Sequence, residues 1–175
     1  MARDPRQTRL RILTAAETLT RTQGARAVSL EAVAEQAGIS KGGLLYHFPS
    51  KEALMQGLVQ HYLDQAVARL DAADADRPNG ILLQLLNNFE QDWQESQSAS
   101  GLLAAVTEHP GILAPVAEFN DQALRRLRAG STDPLLAELI FHSLNGLWSA
   151  RMLGIHSPDD KHVMALIATL RQRLV

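Results

Sequence analysis

Cysteine is absent from this 175-residue chain, which excludes disulfides and thiolate metal sites and fits a reducing, cytoplasmic setting. Long apolar runs are missing as well, so no segment is suited to cross a bilayer and no membrane partner is expected. The start, Met1-Ala2-Arg3-Asp4-Pro5-Arg6, is charged and leads into no apolar run, unlike a secretory signal. Alternation of apolar and polar residues is nearly absent, which argues against strands, and no internal repeat or low-complexity tract interrupts the chain. The six histidines, His47, His61, His109, His142, His156 and His162, show no H-E-x-x-H or other compact ligand spacing, so neither metal nor cofactor is expected. Gly38-Ile-Ser-Lys-Gly42 fits the G-x-S-x-G pattern formally. That nucleophile turn needs a preceding strand, and the residues before Gly38 read as helix, so no enzyme is indicated.

What the chain has is a hydrophobic content of 46%, enough for a real core, and an uneven charge. The net charge of -2 hides a basic head. Residues 1–51 hold eight Lys or Arg (Arg3, Arg6, Arg9, Arg11, Arg21, Arg26, Lys41, Lys51) against four acids (Asp4, Glu17, Glu31, Glu35), while the remainder is net acidic. Such a distribution suits a head that meets a polyanion and a body that does not.

Apolar residues recur at spacings of three and four throughout, which predicts an all-α chain. The expected helices run over about 6–23, 30–37, 41–47, 51–73, 81–97, 101–108, 115–129, 134–154 and 158–174, with a loop at 74–80. Gly24 stops the first helix, which turns Ile12, Leu13, Ala16 and Leu19 to one face. Asp133-Pro134 and Ser157-Pro158 read as N-caps followed by proline at the first helical position. The architecture expected is a three-helix helix-turn-helix head over residues 1–50 and a helical ligand-binding and dimerisation bundle over 51–175, about nine helices in all.

The head carries the sharpest pattern. Ser29 caps one short helix, with Val28 and Val33 placed as a hydrophobic staple, and Gly38 supplies a left-handed turn. Ser40 caps the next, with Ile39 and Leu44 as its staple. Two short helices joined this way form the motif whose second helix enters the DNA major groove. Lys41 and Lys51 both stand at first helical positions, where a cation opposes the helix dipole unless an anion such as a phosphate is near. Gly42-Gly43 costs a short helix about 1 kcal/mol per residue relative to alanine, and the missing side chains allow close backbone approach to a groove. A frayed helix start is the bland alternative.

The run Ala37-Gly-Ile-Ser-Lys-Gly-Gly-Leu-Leu-Tyr-His-Phe-Pro-Ser-Lys-Glu-Ala-Leu54, with Ile12-Leu13-x-Ala15-Ala16 and Gly24 upstream, closely resembles the DNA-binding head of the TetR/AcrR family of bacterial regulators. The resemblance implies that Ser29, Ser40, Lys41, Gly42, Gly43, Tyr46, His47 and Lys51 meet double-stranded DNA, and that Phe48 is a core residue. Leu45 departs from the pattern, where an aromatic residue often stands. The resemblance further implies a homodimeric repressor that leaves a pseudo-palindromic operator when a small effector binds.

In the body, the helix from Pro134 carries one stripe rich in small residues, Leu139, Ser143, Gly146, Ala150 and Leu153, and the last helix carries Val163, Leu166, Ile167, Leu170 and Leu174. Together they suit a four-helix dimer seam, the place where the resembling family dimerises; the alternative is that both stripes serve the chain's own core. Phe89, Trp93, Phe119, Asn145, Trp148 and Met152 lie on faces able to converge on a small, mostly apolar effector. A DNA- or protein-binding adaptor of the same fold without a ligand is the other function these residues allow.

Overall fold

The computed structural model describes residues 4–23, 28–95, 110–156 and 158–174, and these hold eight α-helices and no strand. They are α1 (Pro5–Gln23), α2 (Leu30–Gln36), α3 (Lys41–His47), α4 (Lys51–Asp71), α5 (Gly80–Glu95), α6 (Ala114–Ala129), α7 (Pro134–Leu153) and α8 (Asp160–Leu174), with a 3₁₀ turn at Pro110–Leu113. The helix expected over 101–108 and the stop at Gly24 lie outside the described residues, as do the side chains of Arg21, Met152 and Leu153. The chain divides into two compact units, and the division falls inside α4, between Tyr62 and Leu63.

In the first unit, α1 buries Ile12, Leu13, Ala15, Ala16 and Leu19, the face its spacing predicts, and packs against α2. The caps form as the sequence indicates. Ser29 Oγ accepts the Ala32 N–H at 3.1 Å and Ser40 Oγ the Gly43 N–H at 3.1 Å. A further cap, not read from the sequence, forms at Ser50, whose Oγ accepts the Ala53 N–H at 3.0 Å. Gly38 closes α2 at φ +62°, a left-handed conformation that side chains with a Cβ resist. Val28, Val33 and Leu44 are fully buried beneath these turns.

Two of the head's arginines are used internally. Arg11 Nη2 donates to the Ala37 carbonyl at 2.6 Å, so α1 ties down an orphan acceptor at the end of α2. Arg9 lies over the Phe48 ring, 4.5 Å from its centroid. Phe48 is buried, and its ring occupies the space beside Gly57: a Cβ at position 57 would stand 2.5 Å from Phe48 Cε1. Glycine in α4 is therefore a packing requirement of the head.

In the second unit, α5 packs against α7 and α8 around Leu82, Leu86, Phe89, Trp93, Ile140, Phe141, Leu144, Val163 and Ile167. α7 starts as expected, with Asp133 Oδ1 accepting the Leu135 and Leu136 N–H groups at 3.1 and 3.0 Å, and ends at Gly154 with φ +66°. The start of α8 differs. It begins at Asp160, not Pro158, because Asp159 Oδ1 takes the Lys161 N–H at 3.2 Å and so supplies the cap; Ser157 lies outside the described residues.

The turn before α5 carries a knot the sequence does not announce. Asn79 is buried at φ +61°. Its Oδ1 accepts from the Thr132 N–H and the Ser131 hydroxyl, both at 3.0 Å, while its Nδ2 donates to the Leu174 carbonyl at 3.0 Å. One amide thus joins the α4–α5 turn, the α6–α7 turn and the end of α8.

Candidate DNA-binding head and effector region

The eight head residues expected to meet DNA are held in one unit by α2, α3 and the start of α4. Ser29 and Ser40 spend acceptor capacity on their caps. Gly42 is exposed, and a Cβ there would meet nothing within 4 Å; at Gly43 it would approach Ser40 Oγ at 3.3 Å. Tyr46 is 81% exposed, so it does not serve the core, and its only described ring neighbour is His47, edge-on at 5.2 Å. Leu45, the departure from the family pattern, is exposed as well. Lys51 is exposed and forms no ion pair with any described residue.

Lys41 has an ordinary partner that sequence reasoning missed. Its Nζ stands 2.6 Å from Glu31 Oε1. The hydrogen bond from Lys41, helped by its charge, holds the Glu31 carboxyl below the usual carboxylate range. A lysine at the first position of α3 is therefore not left to oppose the helix dipole alone. The argument from helix position keeps its force at Lys51.

In the second unit the structure brings Phe89, Trp93 and Trp148 together, with ring centroids 5.5 to 6.3 Å apart. Phe119 packs against the same core. Asn145 is exposed, and its amide nitrogen donates to the Phe141 carbonyl of its own helix at 2.9 Å, which withdraws that donor from the aromatic group. Trp93 is enclosed, only 1% exposed, and its indole N–H donates to Asp160 Oδ1 at 2.8 Å. Arg151 covers the Trp93 ring at 4.3 Å and donates to its carbonyl at 3.0 Å. Trp93 is thus a clamp between α5, α7 and α8, and half-buried Trp148 is the tryptophan with an accessible surface.

The stripe expected at a dimer seam separates into two parts. On α7, Leu135 is 78% and Leu139 63% exposed, and Ser143 and Gly146 are exposed beside them. On α8, Leu166 is exposed and Leu170 partly so. Val163, Ile167 and Leu174 require a correction: all three are enclosed in the chain's own core, because α5 covers that side of α8. They are not available to a partner.

Among the described residues no group of three or more His, Asp or Glu is placed to hold a metal ion, and no helix is long and apolar enough to cross a membrane.

Two short capped helices joined by a left-handed glycine and backed by a third, in a chain whose described residues are otherwise helical, define a helix-turn-helix protein. The family model described as "Bacterial regulatory proteins, tetR family" matches residues 12–58, and the one described as "Tetracyclin repressor-like, C-terminal domain" matches residues 83–174. The chain belongs to the TetR family of DNA-binding transcriptional regulators. It is 38% identical over 69 residues to the HTH-type transcriptional regulator UidR of Escherichia coli K12, a match covering 39% of this chain and 35% of that protein. Its fold is shared with a TetR-family regulator from Agrobacterium tumefaciens (TM-score 0.69, 22% identity, covering 98% of this chain and 100% of the other). A second neighbour is the multidrug binding protein EbrR complexed with ethidium (TM-score 0.65, 21% identity, covering 93% and 98%).

Proposed function

We propose that the chain is a cytoplasmic, homodimeric repressor that leaves a pseudo-palindromic operator when a small, mostly apolar effector binds. The observation that carries the DNA half is a set of exposed residues that the fold does not use. Tyr46 is exposed, Lys51 lacks an ion-pair partner among the described residues, and Gly42 faces open space that the protein's own packing does not require. Their common use is a polyanion lying across α3 and the start of α4. The protomer reads few bases alone, so two copies on half-sites about one helical turn, roughly 34–36 Å, apart are expected. The α7 stripe with Leu166 and Leu170 is the proposed seam.

Support for an effector comes from the aromatic group in the second unit and from EbrR, a neighbour of the same fold crystallised with ethidium. Trp148 is the proposed contact. α4 contributes Lys51 to one unit and Leu63–Asp71 to the other, so a shift of that helix changes the separation of the reading heads. Release requires an effector that binds the DNA-free form more tightly than the bound one. Trp148→Ala should lose the response to any compound that releases the wild-type chain from DNA, while binding DNA normally in its absence. The check is fluorescence anisotropy of a labelled duplex; release of the variant by the same compound dose rejects Trp148 as the contact.

A further inference from the structure

The pair formed by Glu31 and Lys41 lies among the residues proposed to read DNA, and it is an odd thing to find there. It bridges the first turn of α2 and the first residue of α3, with side chains 64% and 56% exposed. An exposed ion pair of this kind contributes little to stability, so the fold gains little from the carboxylate. A surface that meets phosphates is also penalised by a carboxylate. What Glu31 does do is hold the lysine in place.

We propose that Glu31 is a positioning residue for Lys41, and that the closed pair reads one base pair in the major groove as a unit. This rests on the reading of the head as DNA-binding. The donor count supports it: an ammonium has three N–H groups, and Glu31 takes one. The other two match the O6 and N7 acceptors of a guanine, while the carboxylate's remaining lone pairs match a cytosine N4 amino group. The neighbouring Gly42 has no side chain to crowd that approach. Because its charge is already countered, Lys41 releases no counterion from the phosphates. The pair therefore limits sequence-independent affinity while adding discrimination at one position.

The test uses the full chain with Glu31→Gln, and two probes: a duplex enriched by the wild-type chain from a random library, and an alternating dA-dT copolymer, which offers no guanine O6 or cytosine N4 in the major groove. Anisotropy is measured across a salt series, and the variant is also used to re-select the library. Freed from Glu31, Lys41 should neutralise a phosphate, steepening the salt slope on the copolymer by about one and tightening binding there. Preference at one G·C position should fall by roughly tenfold. Glu31→Gln combined with Lys41→Gln should return the slope to the wild-type value, a result that a merely structural role for Glu31 does not produce. An unchanged slope with unchanged selected sequences overturns the proposal, as does evenly weaker binding to both probes. If the wild-type chain itself shows no salt-dependent binding to either probe, the DNA-binding reading fails, and the proposal with it.

Discussion

Asn79→Ala is expected to lower the melting temperature of the chain by roughly ten degrees, since losing partners for buried polar groups costs about 1–3 kcal/mol each. The substitution leaves the buried Leu174 carbonyl without its donor and the part-buried Thr132 N–H without its acceptor, while the Ser131 hydroxyl keeps a second acceptor in the Asp133 carbonyl at 3.0 Å. It also places an ordinary Cβ residue at φ +61°, a conformation asparagine tolerates better than alanine. Asn79→Gly separates the two causes, because glycine keeps the backbone conformation and loses the hydrogen bonds. Thermal unfolding followed by circular dichroism should place Asn79→Gly between the wild type and Asn79→Ala. A melting temperature unchanged in both variants means that the three-way knot carries no stability.

Gly146→Leu is expected to split the proposed dimer without harming the protomer. A Cβ at position 146 meets nothing within 4 Å, so the single chain accommodates the larger side chain. Leucine also improves helix propensity at that position by about 0.8 kcal/mol relative to glycine. A partner helix seated on Leu139, Ser143 and Gly146 is pushed away by the same side chain. Sedimentation should then show a folded monomer, and affinity for an enriched duplex should fall by roughly 100-fold or more as the second half-site is lost. If the stripe faces only solvent, the variant instead stays a dimer and melts at a higher temperature.

The head was legible from sequence because its geometry is encoded locally. Ser29, Gly38 and Ser40 each act on backbone groups within a few residues, so their patterns specify caps and a turn without knowledge of the rest of the chain. The features that escaped join residues far apart. Asn79 bonds to Leu174 across 95 positions, and Trp93 to Asp160 across 67. Charge counting includes Arg9 and Arg11 in the basic head without saying which cations are spent internally; one lies over Phe48 and the other caps α2. On α8, periodicity grouped Val163, Leu166, Ile167, Leu170 and Leu174 on one face, of which Val163, Ile167 and Leu174 are buried, Leu170 partly so and Leu166 exposed. It does not reveal which neighbour covers a face, and here α5 covers the buried part of this one, not a second protomer.

The most direct measurement of the central claim is the salt dependence of DNA binding by the wild-type chain and by Lys51→Ala. Lys51 is exposed at the start of α4, with no ion pair to any described residue, so its loss should spare the fold. For a head that neutralises several phosphates, log affinity for a duplex falls linearly as log salt rises, and removing one phosphate contact lowers that slope by about one. The variant should bind enriched and unrelated duplexes more weakly in similar proportion. Wild-type binding that ignores salt, or a Lys51→Ala variant with the wild-type slope and affinity, would contradict the account.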